Sequence, residues 1–154
     1  MTTDAPTRPK SITFVAVLSA LSGVSRVLTA ALIADTGAQL VLLGTIPPPT
    51  VAAGCTFLLG AAGIAAAIGL WHLREWGWHI AIGLEVYGLA SSLLNYPAAK
   101  LVLEHQVGRP LDDATARMPL LIAAGIALAA HGLIFGLLIR HRDAFVPPIN
   151  EPSA

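Results

Sequence analysis

Three ionisable residues stand inside otherwise apolar stretches: Arg26, Glu85 and His131. A charge at mid-bilayer costs roughly 2.5–3.5 kcal/mol even on a lenient insertion scale, so each should turn inward and find a partner. At a rise of about 1.5 Å per residue, Glu85 falls about 12 Å, His131 about 13 Å and Arg26 about 21 Å from one membrane edge. Helical side chains lean toward the N-terminus of their own helix, which brings Arg26 down toward Glu85 and His131 up toward both. The spacing predicts an Arg26–Glu85 pair with His131 beside it. Guanidinium, carboxylate and imidazole together can exchange a proton, bind an ion or hold a small polar ligand.

The neighbours of these residues fall into stripes. Ser19, Ser22, Arg26 and Thr29 recur at i, i+3, i+7 and i+10, one face of a helix. Glu85, Gly88, Ser92 and Asn95 repeat the same spacing. Polar stripes of this kind belong inside a bundle and not against lipid. They have two readings: hydroxyls and an ion pair that hold helices in register, or a proton, ion or ligand site built on Arg26, Glu85, His131, Ser22, Ser92 and Asn95.

Other chemistry is weaker. Leu32-Ile33-Ala34-Asp35-Thr36-Gly37 resembles an aspartic-protease loop. Such enzymes pair two aspartates from β-rich halves, so Asp35 reads instead as a helix-ending residue before a turn glycine. The five histidines contain no H-x-x-x-H or E-x-x-H pair within an apolar stretch, so no metal site and no cofactor is expected. His72, His79 and His141 read as interfacial, Asp112-Asp113 as a helix start, and Cys55 as a small core residue. A single cysteine excludes an intramolecular disulfide.

The elements that must carry these residues follow from composition. The 154 residues are 55% hydrophobic and 12% charged, with a formal net charge of +0, and the mean hydropathy is +0.72. Soluble domains carry about 25% charged residues. So poor a charge cannot cover a water-exposed surface, and no basic excess offers a nucleic-acid partner. A membrane span needs about 20 mostly apolar residues. Four stretches qualify, at about 12–34, 51–71, 77–96 and 119–139. The expected fold is all-α, a four-helix bundle of four membrane spans (residues 12–140) between tails at 1–11 and 141–154. Leu40-Val41-Leu42-Leu43 is too short to cross and should lie on the bilayer or cap the bundle. Gly37, Gly44 and Pro47-Pro48-Pro49 should keep the first outer loop irregular and mobile.

Basic residues flanking the spans set orientation. Arg8, Lys10, Arg74, Arg140 and Arg142 fall on one side, against Lys100, Arg109 and Arg117 on the other, which puts both termini in the cytoplasm. Trp71, Trp76 and Trp78 at the turn between the second and third spans suit the headgroup level, as does Tyr96 opposite. Arg8, Lys10 and Thr29-Ala30-Ala31 have the outline of a cleavable signal, but Arg26 interrupts it and the apolar run is long, so we read a retained span. Gly60, Gly63, Ala67 and Gly69 thin the second helix. Gly125, Ala129, Gly132 and Gly136 form a small-residue ridge on the fourth, expected to dock a neighbouring helix within the chain, with other membrane proteins or a second copy as the alternative partner.

Two stretches carry a resemblance. Arg8-Pro9-Lys10-Ser11-Ile12-Thr13 resembles the "R-P-x-x-I-T" lead-in of a group of small uncharacterised prokaryotic four-span membrane proteins. Gly69-Leu70-Trp71-His72-Leu73-Arg74-Glu75-Trp76-Gly77-Trp78 resembles the "G-L-W-x-L-R-x-W-x-W" hairpin between their second and third spans. The resemblance implies a four-helix bundle with both termini inside and carries no activity with it.

Small size, low charge and small-residue ridges favour an accessory subunit of the cell membrane that packs against other membrane proteins in the lipid bilayer. The alternative is a small transporter or ion or proton carrier working through Arg26, Glu85 and His131. No convergent set of groups supports an enzyme. The bundle interior discriminates: a wet cavity reaching Glu85 favours transport, and a dry packed core favours the accessory role.

Overall fold

A computed structural model describes residues 8–107 and 112–145. The expectations placed on residues 1–7, Arg109 and 146–154, and on the side chain of Asp113, lie outside what it describes. The chain forms four helices, α1 (Lys10–Thr36), α2 (Pro49–Trp71), α3 (Glu75–Val107) and α4 (Asp113–Arg140), followed by a short 3₁₀ turn. No strand occurs among the described residues, and the fold is an all-α four-helix bundle. Three stretches are long and apolar enough to cross a membrane: α1, α2 and Arg117–Arg140 of α4. Helix α3 falls outside that set, since Glu85, Ser91, Ser92, Asn95, Lys100 and Glu104 dilute its apolar length. It also runs on past the end expected at Tyr96, with Pro97 inside it, and α4 begins well before Pro119.

Glycine decides which helices approach closely. A Cβ on Gly23 would lie 2.8 Å from the Gly60 carbonyl oxygen and 2.8 Å from the Ile64 nitrogen, and Gly63 sits against Gly23. Helices α1 and α2 therefore pack backbone to backbone, as small residues allow in a membrane-type interface. Gly69 and Gly77 meet even more closely across the α2–α3 turn. That turn closes when the Arg74 N–H donates to the Gly69 carbonyl at 2.8 Å, with Leu73 in the left-handed region at φ 51°, a Schellman-type ending built without glycine. Helix α1 ends more conventionally: Gly37 takes φ 67° and its N–H donates to the Ile33 carbonyl. Asp35 is exposed in the last turn of α1, just before that glycine stop.

Apolar side chains plug the bundle at both ends. At one end Ile12, Val15, Leu70, Trp78, Leu138 and Phe145 form a core drawn from all the helices and the C-terminal turn. The Trp78 indole N–H donates to the Leu138 carbonyl at 2.9 Å. Trp78 is thus a core residue and not the interfacial one expected, while Trp71 and Trp76 remain half exposed. The same end gathers the two stretches that carry the resemblance. The Arg8 guanidinium lies 3.8 Å from the Trp71 ring centroid and donates to the Trp71 carbonyl at 2.6 Å. Ser11 and His141 share a hydrogen bond at 2.9 Å, tying α1 to the end of α4.

At the opposite end Ile33, Ala52 and Ala53 pack with Leu40 and Leu42 of the α1–α2 connection. Leu40–Leu43 thus caps the bundle. The connection holds more order than expected: Leu42 and Thr45 exchange backbone hydrogen bonds of 2.9 and 3.0 Å around Leu43 and Gly44, both at positive φ. This is one isolated bridge and not a β-hairpin. Two further expectations fail. Cys55 is exposed, and the ridge Gly125, Ala129, Gly132 and Gly136 faces outward, with nothing within 4 Å of a Cβ at any of its three glycines. The internal docking role belongs instead to Gly23, Gly60 and Gly63.

Candidate functional site

Between the two apolar plugs polar side chains enter a largely apolar interior. The stripe on α1 and the stripe on α3 face a common interior, which divides into two adjoining cavities. The first, of about 260 Å³, is lined by Ser19, Ser22 and Arg26 of α1, Gly63 of α2, Glu85 of α3 and His131 of α4, among apolar neighbours. The second, of about 320 Å³, lies under the Leu40–Leu42 cap and is lined by Arg26, Thr29, Thr56, Tyr87, Ser91, Ser92, Asn95 and His131. Arg26, Leu59 and His131 line both, and so form the partition between them.

The partner of Glu85 is His131. Glu85 is 8% exposed, and its Oε2 lies 2.6 Å from His131 Nδ1, a short carboxylate–imidazole hydrogen bond of the charge-assisted kind. Gly88, one turn beyond Glu85, makes the contact possible, because a Cβ there would collide with the imidazole ring itself. Helix α3 thus offers His131 a seat and an acceptor on one face.

The expected Arg26–Glu85 pair is not formed. Helix α1 packs on α2, and α3 packs on α2 and α4, so α1 and α3 stand diagonally across the bundle with the first cavity between them. Arg26 reaches that cavity but makes no hydrogen bond or ion pair within 4.0 Å among the described residues. Depth along the helix axes, on which the expectation rested, says nothing about lateral separation.

The remaining candidates divide. Ser22 lines the first cavity and is exposed at its mouth. Ser92 lines the second but spends its proton on the Gly88 carbonyl at 2.7 Å. Asn95 is a clamp: its Oδ1 accepts from the Gly44 N–H at 2.9 Å, and its amide donates to the Val41 carbonyl at 3.3 Å and to Ser91 Oγ at 3.0 Å. It holds the capping turn down on the second cavity. Thr56 was not anticipated. It is 5% exposed, lines the second cavity, and its Oγ1 has no hydrogen-bond partner. Its signal in the sequence is slight, a lone threonine in the interior of a Gly/Ala-rich helix.

The first cavity opens sideways. Helices α1 and α4 make few contacts, and Ser22 on one and Ala130 on the other are both cavity-lining and exposed. No cluster of three or more His, Cys, Asp or Glu residues suited to a metal occurs among the described residues. Comparison with protein-family models, curated proteins and solved structures gives no match. What defines the chain is thus its architecture: an all-α bundle with three membrane-length apolar helices, plugged at both ends around cavities that hold Arg26, Glu85 and His131.

Proposed function

We propose that this protein is a multi-pass protein of the cell membrane that binds a small polar solute between its helices and carries it together with a proton. The observation that supports the reading is the Glu85–His131 hydrogen bond, 2.6 Å long, on the wall of a cavity that Arg26 also lines. A subunit that serves only for packing has no use for such a cavity, which removes apolar contact from the middle of the bundle. A carboxylate and an imidazole sharing one hydrogen bond can hold a proton between them and pass it on. The gathering of Arg8, Lys10, Arg74, Arg140 and Arg142 at the Arg8/Trp71 end favours a cytoplasmic location for that end.

The outward ridge Gly125, Ala129, Gly132 and Gly136 favours a second reading, an accessory subunit that docks a helix of another membrane protein or of a second copy. The two are separated by flux. Vesicles loaded with a pH-sensitive dye and carrying the purified protein are given inward gradients of chloride, methanesulfonate, erythritol and choline in turn. Solute-dependent acidification by the wild type, lost in a folded Glu85→Gln variant, is the expected result. A wild type no different from empty vesicles with every solute overturns the carrier reading and leaves the accessory one.

A further inference from the structure

Resting on that carrier reading, we infer that the solute is a small oxyanion, held by Arg26 and Thr56 and bound only together with a proton on the Glu85–His131 pair. Two independent features of the interior point to it. Arg26 lines both cavities with no acceptor for its guanidinium among the described residues, and an arginine inside a membrane bundle calls for a partner, which an anion supplies. Thr56 lines the second cavity too, with a buried hydroxyl that has no partner among the described residues, which costs free energy until something accepts its proton. A planar fork of N–H donors plus one O–H donor is the complement of a carboxylate, phosphate or sulfonate.

Charge decides when the anion enters. The ionisable groups facing the cavities are Arg26 from α1, Glu85 and Tyr87 from α3 and His131 from α4, while α2 contributes none. With His131 neutral, Arg26 and Glu85 cancel, and an anion meets a site with no net charge. With the pair protonated, imidazolium and carboxylate cancel each other and the guanidinium charge remains for the ligand. Anion and proton therefore favour one another's binding, as linkage requires. The ligand has two possible sources with this chemistry, a free solute or a phospholipid headgroup entering where the α1–α4 seam opens.

The test is titration calorimetry with methanesulfonate, which stays singly charged throughout, on the full chain in detergent from about pH 5 to about pH 8. The wild type should bind at the acid end and be weaker by about tenfold or more at the alkaline end. Arg26→Gln should weaken binding by about tenfold or more at every pH. Glu85→Gln, which leaves the guanidinium charge uncancelled, should bind at the alkaline end where the wild type does not. Arg26→Lys, which keeps the charge, should retain the pH dependence and covers the case in which Arg26→Gln does not fold. Competition then assigns the source: inorganic phosphate displacing as well as dihexanoylphosphatidylglycerol supports a free solute, and a marked advantage for the lipid supports a headgroup. No methanesulfonate binding, or binding indifferent to pH or to Arg26→Gln, overturns the proposal. Because these are equilibrium measurements in micelles, they can fail while flux of another solute succeeds, or hold while flux fails.

Discussion

The imidazole of His131 occupies the space in which any side chain at position 88 would begin, so Gly88 and His131 are complementary in shape across the α3–α4 interface. Glu85 lies one turn before Gly88, on the same face, and takes the Nδ1 contact. Position 88 therefore controls whether the Glu85–His131 hydrogen bond can form.

Gly88→Ala should displace the ring, break the Glu85–His131 hydrogen bond and cost about 1–3 kcal/mol, the usual range for overpacking. Gly132→Ala on the outward ridge meets nothing within 4 Å and should be neutral or slightly stabilising, since alanine is the better helix former by up to about 1 kcal/mol. Thermal melting in detergent compares the two. Equal melting points would mean that His131 is not seated on Gly88.

A double-mutant cycle on Glu85→Leu and His131→Leu should return a coupling of about 0.5–3 kcal/mol, as for residues in direct contact. Cycling Glu85→Leu against Arg26→Met should return a much smaller value, because the cavity separates them. A larger coupling to Arg26 than to His131 would restore the pair expected from axial depth.

Asn95→Ala removes the two hydrogen bonds that fasten the capping turn to α3. It leaves the Gly44 N–H and the Val41 carbonyl to solvent, a loss on the order of 0.5–1.5 kcal/mol per hydrogen bond. Amide exchange at Gly44 should accelerate while exchange in the Ile12–Leu70–Leu138 core stays slow. Unchanged protection at Gly44 would show that the bridge between Leu42 and Thr45 suffices.

Orientation is read by labelling. Arg8, Trp71 and His141 belong to one end of the bundle, so cysteines introduced at His72 and Arg142 in a chain carrying Cys55→Ala should behave alike and resist an impermeant reagent added outside intact cells. A cysteine at Ala38 should react. Labelling at Arg142 from outside would reverse the assignment.

Composition and hydropathy by themselves determined that the chain is helical and suited to a bilayer, because a low charge content and long apolar runs leave no other way to satisfy the backbone. The i, i+3, i+7 spacing of Ser19, Ser22, Arg26 and Thr29, and of Glu85, Gly88, Ser92 and Asn95, also determined that two polar faces turn inward, since the pitch of a helix is local. Which residues meet was decided by tertiary structure. Arg26 and Glu85 have opposite charges and compatible depths, but their helices stand on a diagonal that no periodicity reveals. Gly88 and Gly132 look alike in sequence; one seats a histidine and the other faces outward, because only the lateral order of the helices separates a packed ridge from an open one. Thr56 acquires its meaning in the same way, from a cavity that exists only once four helices surround it.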